Sequence, residues 1–465
     1  MKNLPLATRN LLRNRRRSLT SLLAVTIGGF SILMFGGYVR NITYALETAF
    51  VTQSGHFQIQ RKDYFLYGTG NPAAFSIDHY KEVIADVHAN PALAKLTAVV
   101  TPTLELGGIA GNFAAAASRT VIGSGIVVED QNRMRLWNEY GFPPFLKPLA
   151  LTGTAEDAAV IGNGVARALD LCRPLNVANC ARSAAQPVVP GAANAGIPGD
   201  IASLSQLEAP KTAELEKTQI ELLASNTHGA PNMARLNIVK AEEQGVKELD
   251  DIFVALHLSQ AQKLIYGNGT PKVTAIEVQL HHTKTMPAAA ALLRDVIEKS
   301  LEKSNLTLVD FKTLNPFYEQ TLRLFDVIFG FISILIGTIV VFMLGNTMSM
   351  AVVERTVEIG TLRAVGLRKH DIRNLFVLEG LMLGVFGAIL GVLLALVCST
   401  IINYSGLTWI PPGRLVEVPL TVRVWGETPL MTVTVIGLIL IAGLSAWLPA
   451  RQAAAMNIVD ALRHV

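Results

Sequence analysis

LFDVIFGFISILIGTIVVFMLGNTMSMAVVERTVEIGTLRAVG, residues 324–366, decides the architecture. Residues 324–350 form an apolar run long enough to cross a bilayer, which takes about 20 helical residues. The charged stretch ERTVEIGTLRAVG, 354–366, follows at once. A membrane helix that emerges into a short charged helix can carry force to something outside the membrane. Glu354 and Glu358 stand four residues apart, so on a helix they are neighbours and repel. Arg355, Ile359, Leu362 and Arg363 fall together on another face. A solvated helix more often sets Lys or Arg four residues after Glu. The pattern therefore suggests that a partner supplies the compensation; the plainer alternative is a charged juxtamembrane loop.

The rest of the chain agrees with a membrane protein. Of 465 residues, 50% are hydrophobic and only 16% charged, which points to membrane segments plus at least one folded domain. A net charge of +4 gives no support for nucleic-acid binding. Three more runs reach spanning length, at 19–40, 376–402 and 430–448. Arg13, Arg15, Arg16 and Arg17 precede the first. Arg355, Arg363, Arg368, Lys369 and Arg373 follow the second, and Arg451 follows the last. The positive-inside rule then puts both termini and the charged helix, within 351–373, in the cytoplasm. Residues 41–319 and the short loop 403–428 lie outside, and 449–465 form a cytoplasmic tail. The first run has a basic start like a signal peptide, but its apolar part is long and no A-x-A site follows, so it reads as an uncleaved anchor. Residues 1–18 read as a basic amphipathic helix in the membrane interface, with Arg9, Arg13, Arg16 and Arg17 toward lipid phosphates. A disordered basic tail is the alternative.

The outer segment mixes strands and helices, as an α+β domain does. Strands are expected at 55–60, 96–106, 119–128, 236–239, 252–256 and 273–280. Helices are expected at 77–89 and 287–304, and VIGNGVARALDL, 160–171, reads as strand, turn and helix. Between 172 and 231 Pro, Gly, Ala, Ser and Asn accumulate, as in QPVVPGAANAGIPGD. This reads as a loop-like insertion crossed by a helix at 212–225, and either decoration or a contact surface. Cys172 and Cys180 fall in the same segment, where an oxidising compartment favours a disulfide over two free thiols. Their spacing is not that of zinc ligands.

Catalytic constellations are missing from the sequence. It has no GxxxxGK[ST] loop, so ATP is not bound here by a P-loop, and no G-x-S-x-G or H-E-x-x-H. Energy must come from another polypeptide. His281 and His282 would point to opposite faces of a strand, a poor metal pair. Glu379 is a carboxylate inside the third span, either functional or, near the cytoplasmic end, hydrated or paired with Arg373 or a nearby backbone group. Gly380, Gly384, Gly387 and Gly391 form two GxxxG motifs for close helix packing, within this chain or between two copies.

MSMAVVERTVEIGTLRAVGLRKHDIRNLFVLEGLMLGV, 348–385, resembles the FtsX/MacB/LolE-type permease subunits of ABC transporters, the type VII mechanotransmission family. The matching positions are Glu354, Arg355, Glu358, Ile359, Gly360, Arg363, Ala364, Gly366 and Glu379. LPARQAAAMNIVDALR, 448–463, resembles the same family's ending. The resemblance implies a four-helix membrane protein with a large extracytoplasmic α+β domain, in a bacterial inner membrane. It implies that the charged helix docks on a separate ABC ATPase, present in two copies, which binds ATP and Mg; this chain carries no cofactor. It further implies a second permease subunit, a homodimer in preference to a heterodimer, and leaves room for a periplasmic adaptor or substrate protein. A stalk at 313–322 would pass cytoplasmic movement to the outer domain. Release of a lipoprotein, lipid or other amphipathic substrate is the implied function. Drug or peptide efflux and a scaffold controlling a cell-wall hydrolase are the alternatives. A sensory partner of a histidine kinase fits less well, since such members have ten spans.

Overall fold

The structure, a computed structural model, describes residues 7–10, 13, 15–142, 148–177, 180, 218–226, 229–410 and 417–457, with side chains omitted at 69 and 299–304. In chain order its elements are α1 (Arg15–Ser54), β1 (Phe57–Arg61), α2 (Tyr80–Ala89), α3 (Pro91–Leu96), β2 (Thr97–Asn112), β3 (Ala117–Ile126), α4 (Val128–Arg135), β4 (Ala158–Gly162), α5 (Asn163–Ala168), β5 (Gln219–Ser225), β6 (Pro231–Glu242), β7 (Phe253–His257), α6 (Leu258–Tyr266), β8 (Ala275–Leu280), α7 (Met286–Ser304), β9 (Leu306–Asp310), α8 (Pro316–Glu354), α9 (Thr356–Ala364), α10 (Lys369–Tyr404), β10 (Thr408–Trp409), β11 (Val418–Pro419) and α11 (Thr428–Ala455). One unit comprises Met1–Ala45, Phe317–Trp409 and Val418–Val465; the other comprises Leu46–Pro316 with Ile410–Glu417.

The first unit is built on α1, α8, α10 and α11, each long and apolar enough to cross a membrane. Lipid is as apolar as the side chains, so such helices associate through close packing rather than hydrophobic burial. The glycines of α10 provide it. A Cβ added at Gly384 would lie 2.7 Å from that of Ala442 on α11, and one at Gly387 would lie 2.6 Å from that of Val25 on α1. Gly380 likewise abuts Ala446, and Gly391 abuts the backbone of Thr26 and Phe30. The two GxxxG motifs thus serve two different neighbours inside one chain. Val340 and Leu344 of α8 join Val25, Leu383, Leu438 and Ala442 in the buried centre. After α10, β10 and β11 pair as a small hairpin. The Asn403 side chain donates to the Val422 carbonyl at 3.0 Å and accepts the Val422 N–H at 2.8 Å.

The second unit is α+β. β2 is long enough to serve two sheets. Its first half pairs with β8, which continues to β1 and β9 as an antiparallel layer. Its second half pairs with both β3 and β5, and the succession β2-β3-β7-β4-β6-β5 closes on itself as a six-stranded ring. Closure removes strand edges. Leu104, Val121, Leu222, Leu236, Val254 and Leu256 are fully buried. Helices α2, α3 and α7 bury Val83, Val87, Leu93, Leu293 and Ile297, and the layer buries Ile59, Ile276 and Leu280.

Most expected strands and helices of this segment are present. The helix expected at 212–225 is not. Gln219–Ser225 is β5, between β2 and β6, with Ile220, Leu222 and Ala224 buried and their neighbours outward. A seven-residue alternation in QIELLAS outweighs local helix preference once two strands flank it. Residues 212–217 and most of the 172–231 insertion lie outside the described residues. β9 and α6 were not anticipated. Cys172 and Cys180 form a disulfide with Cα atoms 6.1 Å apart.

Candidate functional site

The apolar run of α8 ends where the charges begin. Glu354 closes α8, Arg355 takes a non-helical conformation (φ −102°, ψ 17°), and α9 starts afresh at Thr356. Gly366 ends the segment at φ +110°, a conformation strained for any residue with a Cβ. Its N–H bonds the Arg363 carbonyl at 3.1 Å, and the Leu367 N–H bonds Leu362 at 3.1 Å. Helix α10 then begins with the Arg368 N–H on the Asp371 carboxylate at 3.1 Å. Ile359 packs α9 inward against Ala351, Val352, Ile372, Phe376, Ala450 and Ala453, all buried, and Gly360 beside it is buried too.

The charges of this segment are met from within the chain. The Arg355 guanidinium is buried and its Nη1 donates to both oxygens of Glu379, at 3.0 and 3.3 Å. The Asn10 side chain donates to Glu379 at 2.7 Å, and Arg355 Nη2 donates to the Asn10 carbonyl at 3.2 Å. Arg17 pairs with Glu354 at 2.8 Å and also donates to the Thr347 carbonyl. Arg13 pairs with Glu358, and Arg363 donates to the Met456 carbonyl. The repulsion expected between Glu354 and Glu358 is answered within this chain by two arginines of the N-terminal segment. Of the four arginines assigned to the lipid interface, Arg9 and Arg16 are exposed, whereas Arg13 and Arg17 are committed to these glutamates.

Besides Glu358, α9 and the Val365 that caps it leave small and apolar side chains exposed. Val357, Thr361, Ala364 and Val365 follow one another at helical spacing on a single face, and Val365 is 78% exposed. Val353, just before the break at Arg355, is exposed too. The sequence reading singled out Ala364 and Gly366 from this surface but missed Val353, Val357, Thr361 and Val365. Their spacing of four residues was visible in the sequence, yet only the inward packing of Ile359 shows which side faces out. Glu379 is paired with Arg355 and Asn10, not with Arg373 as expected.

Residues 330–458, from within α8 to the end of α11, match the family described as FtsX-like permease C-terminal. The chain is 27% identical over 232 residues to an uncharacterized ABC transporter permease of Methanocaldococcus jannaschii, covering 49% of this chain and 55% of that protein. It is 30% identical over 197 residues to the macrolide export ATP-binding/permease protein MacB of Agrobacterium fabrum, covering 42% of this chain and 28% of that one. Against MacB of Escherichia coli it is 30% identical over 138 residues, 29% of this chain and 21% of the relative. The chain thus spans about half the length of the first relative and about a quarter of the MacB proteins. With four apolar helices and the charged helix between the second and third of them, the chain carries an FtsX-like permease C-terminal region at 330–458 and is similar in part to permeases of the MacB type.

Proposed function

We propose that this chain is the permease subunit of an ABC transporter that turns ATP hydrolysis in a separate ATPase into movement of its α+β unit. The carrying observation is α9: a short helix outside the spans, braced by internal ion pairs, that leaves Val357, Thr361, Ala364 and Val365 exposed. An exposed apolar strip on an otherwise charged segment fits a protein partner better than water. The partner ATPase, in two copies, would supply ATP and Mg binding, for which this sequence has no P-loop. The permease would pair with a second copy of itself in the inner membrane, with both termini in the cytoplasm and the α+β unit on the opposite side.

Helix length supports a mechanical route. α1 and α8 have 40 and 39 residues, about twice what a bilayer needs. Each is uninterrupted, so a push at one end reaches the other without a hinge. The substrate on this reading is a lipoprotein, lipid or other amphipathic molecule taken from the outer side of the membrane.

The deciding experiment reconstitutes the permease with its co-purifying ABC ATPase and compares wild type with Val357→Asp and Val365→Asp. Each substitution should weaken co-purification and lower substrate-stimulated ATPase activity at least tenfold, while the α+β unit stays folded. Unchanged assembly and activity would show that α9 is not the docking element. A reporter fused after Val465 should report cytoplasm, and one inserted near Ala195 should report the exterior.

A further inference from the structure

The free edge of the α+β unit carries a feature that the coupling reading does not use. β9 ends the four-stranded layer and is bonded to β1 alone. The Lys62 N–H bonds the Asn305 carbonyl at 2.8 Å, and the Phe311 N–H bonds the His56 carbonyl at 3.0 Å. Bonded and non-bonded pairs alternate along an antiparallel ladder. Thr307 and Val309 therefore turn their backbone groups toward β1. Leu306, Leu308 and Asp310 turn theirs to the open side, where no strand pairs with them among the described residues.

Beside this edge runs a groove of about 590 Å³ between β9 and the first turns of α7. Met286, Ala290 and Leu308 give it an apolar lining, and Lys284, Arg294 and Lys312 stand at its rim. None of the three cations has a carboxylate within ion-pairing distance among the described residues. The one acidic side chain in the lining, Asp310, already accepts the Thr313 N–H at 2.8 Å. Open strand groups, an apolar trough and three cations without a carboxylate partner among the described residues, Lys312 lying over the Phe311 ring, together define the chemistry of an occupant. It must be extended, to pair its own backbone with β9. It must place apolar side chains on one side and carboxylates within reach of the rim.

We propose that this groove receives an acidic extended segment of a partner protein, added as a further strand on β9. Strand addition draws affinity from main-chain hydrogen bonds and specificity from the side chains that alternate beside them. Here the alternating positions meet the apolar trough and the cationic rim. Lysines near a free edge also serve simply to keep other strands away, and the test separates the two roles.

A display library of random decapeptides is selected against the full chain in lipid nanodiscs, and recovered peptides are titrated by fluorescence anisotropy. The recovered pool should be rich in Asp and Glu alternating with apolar residues. Lys284→Glu/Lys312→Glu should weaken their binding at least tenfold, and more so at low salt. Leu308→Pro should do the same, because it removes an outward N–H and leaves the bonds to β1 in place. Circular dichroism melts check that each variant folds; if Leu308→Pro does not, the lysine reversal decides alone. A pool without acidic bias, no recovered peptide, or binding indifferent to the lysine reversal would overturn the proposal and leave the lysines as edge guards. Self-association abolished by Leu308→Pro, with no acidic peptide bound, would overturn it as well and give the edge to a second copy.

Discussion

Arg355 and Glu379 form a buried ion pair that joins the break between α8 and α9 to the side of α10, with Asn10 closing the circuit from the N-terminal segment. Arg355 is 6% and Glu379 2% exposed. Two charges taken out of water are tolerated because each neutralises the other, and because Asn10 occupies a further lone pair of the carboxylate and a further donor of the guanidinium. Among the described residues Arg355 Nε has no partner.

Removing one member strands the other. Glu379→Ala or Arg355→Ala should destabilise the membrane unit by about 3–5 kcal/mol. Replacing both, as Arg355→Met/Glu379→Leu, should recover most of that stability, since apolar groups of similar volume need no partner. Thermal unfolding in nanodiscs measures both. If the double variant is as unstable as the singles, packing rather than charge holds this joint.

The Arg13–Glu358 pair should behave differently. Both side chains are about half exposed. Exposed pairs are worth about 0–1 kcal/mol. A double-mutant cycle with Arg13→Ala and Glu358→Ala should therefore give a coupling energy below about 1 kcal/mol, falling further in high salt. A larger, salt-insensitive coupling would mean that the N-terminal segment is held far more firmly than its exposure indicates.

Two buried groups of the α+β unit set opposite pH limits. Burial, helped by Glu105, pushes the Glu277 carboxyl up from 4.5 to about 8. Burial pushes His56 down from 6.5 to about 3, and its ring instead accepts the Leu280 N–H on Nδ1 at 3.0 Å. The folded state therefore holds the Glu277 proton more tightly than the unfolded chain, so this contribution falls as pH rises from 4.5 to about 8. The folded state binds the His56 proton less tightly, so this contribution falls as pH drops from 6.5 to about 3. Stability should be greatest between the two limbs, near pH 4.5–6.5. In melting scans against pH, Glu277→Gln should flatten the alkaline limb and let the acid fall begin near pH 6.5 instead of 4.5, because the His56 contribution is then no longer offset. An unchanged alkaline limb would mean that Glu277 is ionised in the folded protein.

Glycine packing on α10 predicts an ordered set of defects. Gly384→Val should push α10 away from Ala442 of α11, and Gly387→Val should push it away from Val25 of α1. Overpacking typically costs about 1–3 kcal/mol. Gly437, with open space where its Cβ would be, should accept Ala with no loss. Melting temperatures of the three variants test the order, and equal effects at all three would refute it.

Cys172 and Cys180 should resist alkylation until a reductant is added. Closing so short a loop is worth about 2–3 kcal/mol in the chain-entropy model. Cys172→Ser should accordingly lower the melting of the α+β unit and leave that of the membrane unit unchanged. Prompt labelling of both thiols in unreduced protein would show that the bond is not formed in solution.

The four spans were legible because an apolar run in a bilayer has only one way to satisfy its backbone, the helix. The short charged helix was legible for a related reason: its position after a span, its glycine exit at Gly366 and its charge spacing are all local. The partners of its charges were not. Arg13 and Arg17 are separated from Glu358 and Glu354 by 345 and 337 positions, and nothing in the spacing of the glutamates points to them. The GxxxG motifs likewise announced close packing but not the neighbours, because Ala442 and Val25 reach α10 only when the helices assemble. Within the α+β unit, QIELLAS became a strand because β2 and β6 lie on either side of it. LTLVD, too short to stand out, became β9 by pairing with β1. Local hydropathy and glycine geometry act along the chain and can be read from it. Ion pairs, strand neighbours and the outward face of α9 depend on residues brought together from far apart, and only the tertiary structure decides them.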